Sequence, residues 1–127
     1  MSLAVALAVP FAYAADPIKV GVALDLSGSF ATAGVEVRDA INLAVKLLDG
    51  KLGGYPAQFI QVDTGGNPDQ ARQVVDRMIK IDKVDMFTGP VPTPVALAVG
   101  PTLFEAKIPY LSPNSGPAPY AGAQCNP

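Results

Sequence analysis

Apolar and polar positions follow two different periods along this chain, and the switches between them lay out its elements. Residues 18–24, Ile-Lys-Val-Gly-Val-Ala-Leu, are a β-branched run of strand length. Asp25 to Gly34 is small and polar and reads as a loop. Val37, Ile41, Ala44, Val45 and Leu48 then recur at helical spacing. Asp49-Gly50 ends that helix, because Gly50 can take the left-handed cap conformation. Gly53-Gly54-Tyr55-Pro56 predicts a turn, and Ala57 to Asp63 a second strand with Phe59 and Ile60 as its bulk.

The second half repeats the pattern. Asn67 is placed to cap a helix with Pro68 at its first position, Asp69 in its first turn and Gln70 set for a capping box. Its stripe is Ala71, Val74, Val75, Met78 and Ile79. Val84 to Thr88 predicts a third strand, closed by Gly89-Pro90. Thr93-Pro94 repeats the cap-then-proline start, and the third helix runs to about Lys107 with Val95, Ala98, Val99, Leu103 and Ala106 on one side. Gly100-Pro101 interrupts it. Proline there removes a backbone hydrogen bond and clashes with the preceding turn, so a kink or break is expected. Ile108 to Leu111 is the fourth strand. Strands alternating with helices imply right-handed crossovers and an α/β fold built on a parallel, doubly wound sheet.

Composition narrows the chemistry. At 127 residues the chain has room for one modest domain, and with 50% hydrophobic and 16% charged residues a packed core is expected. The net charge is −2 and the basic residues are scattered, so no nucleic-acid footprint is present. Histidine is absent, which removes any His base or His metal site. Cys125 is the single cysteine, so its partner, if it has one, lies outside this chain. Residues 1–15 are apolar and end in Ala12-Tyr13-Ala14, a small-x-small pattern suited to signal peptidase. They predict export to the periplasm. No Lys or Arg precedes the run, so a different true start is expected; a buried apolar helix is the alternative. The sequence stops at Pro127 with no helix to cover the fourth strand. Residues 16–127 are therefore expected to be an incomplete lobe, marginal in stability when isolated.

In such a sheet the loops after the strands share one edge, where ligands of open α/β folds bind. The first loop carries Ser27, Gly28, Ser29 and Phe30, the third leads through Gly89-Pro90 to Thr93, and the fourth holds Ser112-Pro113-Asn114-Ser115-Gly116. Thr93 either caps its helix or also faces a ligand. Ser27 and Gly28 could equally be an ordinary turn, and Asn114 to Gly116 an ordinary connection. Phe30 is a plug over the sheet or an apolar wall. No dinucleotide or phosphate loop is present. Asp25 and Asp63 end strands and could hold Mg²⁺, but nothing else needed for phosphoryl transfer accompanies them. No nucleophile–base pair can be drawn, so no enzyme, cofactor or metal is expected.

Ile18 to Leu24 followed by Leu26-Ser27-Gly28, then Asn67-Pro68-Asp69-Gln70-Ala71, Phe87-Thr88-Gly89-Pro90 and Leu111-Ser112-Pro113-Asn114, form an ordered set. This set resembles the N-terminal part of periplasmic leucine/isoleucine/valine-binding-type proteins, the substrate-binding subunits of ABC importers. The resemblance implies a type I periplasmic binding fold of two α/β lobes that close on a small solute, and a permease partner in the inner membrane. It implies that the Thr93 position offers a hydroxyl to a ligand carboxylate, and that Asn114, Ser115 and Gly116 add hydrogen bonds. The Ser27–Gly34 loop would meet the ligand side chain. An aromatic found there in some members matches Ala33, so Phe30 is a substitute candidate. The two positions of a disulfide seen in some amino-acid binders match about Gly66 and Pro92, and neither is Cys. The Pro-rich stretch with a following Cys is more similar to a broad subgroup that takes aromatic acids and other solutes, so the resemblance leaves the substrate open. The leading expectation is capture of a branched-chain amino acid or a related carboxylate-bearing solute, an amino acid or an aromatic or aliphatic carboxylate, for an ABC transporter. A sensor of amides or amino acids on the same fold and a Rossmann-like enzyme are the alternatives.

Overall fold

The alternation of β1 (Ile18–Leu24) sets the layers. In the computed structural model, which describes residues 16–113 and 116–120, its Val20, Val22 and Leu24 face α1 (Ala31–Leu47) and pack with Val37, Ile41 and Phe59. Ala23 faces the other way, into a cluster with Ala71, Val75 of α2 (Pro68–Arg77) and Val95, Val99, Leu103 of α3 (Thr93–Glu105). Burying each Val or Leu in these layers contributes about 1.5–3 kcal/mol. Gly21 keeps that second layer close, since a Cβ on it would lie 3.0 Å from the Met78 sulfur and 3.2 Å from the Phe87 ring.

β1 is central. β3 (Tyr55–Asp63) pairs with it in parallel on one side, and β4 (Met86–Thr88) then β5 (Tyr110–Leu111) on the other. β2 (Lys51–Leu52) completes the order β2-β3-β1-β4-β5. The fold class is the predicted one, a mostly parallel α/β sheet with helices on both faces. Phe87 is fully buried and meets Tyr110 edge to face, with ring centroids 5.5 Å apart.

Several local expectations change. The loop predicted to Gly34 is a short 3₁₀ turn, Gly28–Phe30, running straight into α1. Gly34 serves close packing instead, because a Cβ there would overlap the Asp25 carbonyl oxygen. Ala44 and Leu48, placed on the apolar stripe of α1, are exposed. The second strand begins at Tyr55 rather than Ala57, and Lys51–Leu52 pairs antiparallel with it across Gly53-Gly54, both at positive φ. Asn67 caps α2 as expected, but Gln70 does not close a capping box: its side-chain amide donates to the Asp63 carbonyl at 3.2 Å. The third strand is shortened to Met86–Thr88, since the Val84 N–H is drawn to the Met78 carbonyl at 3.2 Å.

The expected break at Pro101 does not occur, and α3 runs through it. Proline leaves the carbonyl of Leu97, one turn earlier, without its helical donor. The Tyr120 hydroxyl donates to that carbonyl at 3.0 Å. Gly100 makes the approach possible, because a Cβ there would overlap the Tyr120 hydroxyl. The Tyr120 ring also meets Phe104 edge to face at 5.0 Å. Residues 1–15 and Cys125 lie outside the described residues. Among the described residues no helix is long and apolar enough to cross a membrane.

Candidate functional site

The topology itself marks an edge. The exit of β1 leads to α1 on one face, while the exit of its neighbour β4 leads to α3 on the other. Their loops part at the carboxyl ends of the strands, and a crevice opens at such a switch point. Both carboxylates that close strands hold this edge together. Asp63 accepts the backbone N–H groups of Leu26 (2.8 Å), Ser27 (3.2 Å) and Gly65 (2.8 Å). Burial pushes its pKa up, but hydrogen bonds from the Ser27 side chain and these amides outweigh it and hold the carboxyl below its usual value. Asp25 is fully buried and accepts the Thr64 hydroxyl at 2.5 Å and the Val91 N–H at 3.0 Å.

Among the residues expected to bind, Ser27 turns its hydroxyl and its N–H to Asp63. Phe30 is 45% exposed, with its ring against Gly66, where a Cβ would lie 3.3 Å from it. Thr93 is exposed in the first turn of α3. It is not the N-cap; Pro92 is, and no side chain caps this helix. The N–H groups of Val95 and Ala96 both reach the Pro92 carbonyl, at 3.1 and 3.0 Å, and Pro94 has no N–H. Among the described residues neither the hydroxyl nor the N–H of Thr93 has a partner. Gly116 is exposed, with open space where a Cβ would stand. Asn114 and Ser115 lie outside the described residues.

Tyr110 sits beneath the last of these loops. Burial pushes its phenol up to about 12; the Ser112 side chain beside it acts the other way, and Tyr120 and Asp25 add to the rise. Ser112 is close, yet among the described residues no hydrogen bond of good geometry forms at the buried Tyr110 oxygen. Sequence reasoning considered Asp25 and Asp63 only as a metal pair. Each instead takes its own donors from a different loop, and no group of three or more metal-ligating side chains exists among the described residues. The signal that could have found these ties is an acid placed directly after an apolar run, in Leu24-Asp25 and Val62-Asp63.

The periplasmic binding protein family model matches residues 17–127. No curated protein matches the chain. Among solved structures, an ABC transporter substrate-binding protein from Sphaerobacter thermophilus is 28% identical with a TM-score of 0.80, over 88% of this chain and 30% of that one. A solute-binding protein of an ABC transporter from R. palustris, in complex with benzoate, is 33% identical with a TM-score of 0.80, over 87% of this chain and 31% of that one. A leucine-binding protein from Thermotoga maritima is 25% identical with a TM-score of 0.76, over 83% and 30%. The chain thus spans under a third of the length of these structures. The parallel sheet, its switch point between β1 and β4 and the family match lead to one identity: this chain belongs to the periplasmic binding protein family, as part of a type I lobe of the leucine-binding kind.

Proposed function

We propose that this chain supplies one side of the solute cleft of an exported ABC importer subunit, and that its edge takes the carboxylate end of a small solute, an aromatic acid before a branched-chain amino acid. The observation that carries this reading is the uncapped start of α3, where the Thr93 hydroxyl and N–H stand exposed at the switch point. The helix dipole, together with the Thr93 N–H and hydroxyl, favours an anion at this start. Asp25 and Asp63, the carboxylates at this edge, are already engaged by internal donors. Among the described residues the edge therefore offers donors for a carboxylate, and its two acids are already engaged. Phe30, half exposed beside Gly66, supplies an apolar surface of the kind a ring would cover. The relative found with benzoate is more similar in sequence than the leucine-binding protein, which supports the same choice. A permease in the inner membrane would receive the solute.

Calorimetric titration of the complete gene product with benzoate and with leucine tests this. Saturable binding of benzoate, tighter than leucine and weakened in Thr93→Val, is the expected result. Failure of every carboxylate tried would overturn it.

A further inference from the structure

The last residue pair joining β1 to β4 is Val22 with Thr88. Gly89 still packs against the Ala23 carbonyl beyond it; past that point the two segments leave for opposite faces, and the Asp25 side chain ties them. One oxygen accepts the Val91 N–H from the loop after β4, and the other accepts the Thr64 hydroxyl from the loop after β3. Asp25 is itself the first residue after β1, so a single carboxyl group joins three strand exits. Val91 stands two residues before Thr93. Asp25 is sealed from solvent and does not reach the open face of the crevice. A buried carboxyl is costly unless both its oxygens are matched, and here both are.

We infer that Asp25 is a positioning residue of the binding edge: by holding the Val91 amide and the Thr64 hydroxyl together it sets where the start of α3 presents Thr93. This rests on the reading that Thr93 meets a carboxylate. The role belongs to the bonding pattern rather than to the acid as such. The Thr64 hydroxyl has a second acceptor in reach, the Leu24 carbonyl at 3.2 Å. In Asp25→Asn the amide oxygen can keep Val91, while the amide NH₂ donates to the Thr64 oxygen and the Thr64 proton turns to Leu24. Asp25→Ala removes the carboxyl acceptor that the Val91 N–H and the Thr64 hydroxyl share, leaving the hydroxyl with the Leu24 carbonyl and the loops without their common tie.

The test compares wild type, Asp25→Asn, Asp25→Ala and Thr64→Val in the complete gene product. Two measurements are made: benzoate affinity by calorimetry, and exchange of the Val91 and Ala96 amide protons by NMR. Asp25→Asn should bind within about threefold of wild type. Asp25→Ala should bind about tenfold or more weakly and exchange Val91 faster, and Thr64→Val should fall between. Asparagine as damaging as alanine would overturn the inference, as would a folded Asp25→Ala that binds and exchanges like wild type. If Asp25→Ala does not fold, the inference stands or falls on Thr64→Val: weakened binding with Asp25→Asn intact supports it, and wild-type binding and exchange refute it. A wild type that binds no carboxylate overturns the proposed function alone, because Val91 exchange still reads the tie without a ligand: faster exchange in Asp25→Ala upholds it and unchanged exchange removes it.

Discussion

The two proline-led helix starts look alike in sequence and differ in what they leave open. At α2, the Asn67 side chain accepts the N–H groups of Asp69 and Gln70 at 2.8 and 3.1 Å. At α3, Pro92 caps with its backbone alone and Thr93 remains exposed, without a partner among the described residues. A helix start always has several donors that no earlier turn can satisfy. At α2 a side chain closes the end; at α3 the Pro92 carbonyl takes the Val95 and Ala96 N–H groups, Pro94 has none, and among the described residues the Thr93 N–H is the donor left over. The dipeptide that signals a helix start therefore says nothing about whether the start is used.

The largest test of this contrast lies at the entry to α3. Gly89 has φ +94 and a Cβ there would overlap the Ala23 carbonyl, so Gly89→Ala should cost about 3 kcal/mol or more in urea unfolding. An effect under about 1 kcal/mol would mean the entry tolerates displacement. Next is the body of α3. Replacing glycine by alanine inside a helix ordinarily stabilises by about 1 kcal/mol. Gly100→Ala should instead lower the melting temperature, because the methyl group meets Tyr120, and the sign should reverse in a Tyr120→Ala background. Tyr120→Phe, which keeps the ring and removes only the hydroxyl, should cost about 1 kcal/mol.

Smaller effects divide the two starts directly. Asn67→Ala should lose about 1 kcal/mol of stability and leave benzoate affinity unchanged. Thr93→Val should do the reverse, with stability within about 0.5 kcal/mol and binding about tenfold weaker. Equal behaviour of the two variants in both assays would erase the distinction. The smallest effect is in pH. Asp63 has a folded pKa below its unfolded value, so its contribution is complete above about pH 4 and is lost as pH falls through the folded value. Asp63→Asn should lower the neutral plateau of a stability–pH curve, where the ionised carboxyl contributes, and so flatten its acid limb.

Residues acting within one turn of each other were legible from sequence alone. The period of Ile18–Leu24 placed β1, the stripe of Ala71, Val74, Val75 and Met78 placed α2, and Asn67-Pro68 placed its cap, since each depends only on neighbours a few positions away. The residues that build the edge were not legible in the same way. Asp25 finds Thr64 across 39 positions and Val91 across 66, and Tyr120 repairs the carbonyl that Pro101 abandons 23 positions from its own. Thr93 carried the same local signal as Asn67, and only the path of the chain through Pro92 decided that it would not cap. Period and propensity are local quantities, so the sequence determined which segments are strands and helices. Which polar groups are spent and which are left facing the crevice depends on partners brought together by the order of the strands, and tertiary structure alone decided that.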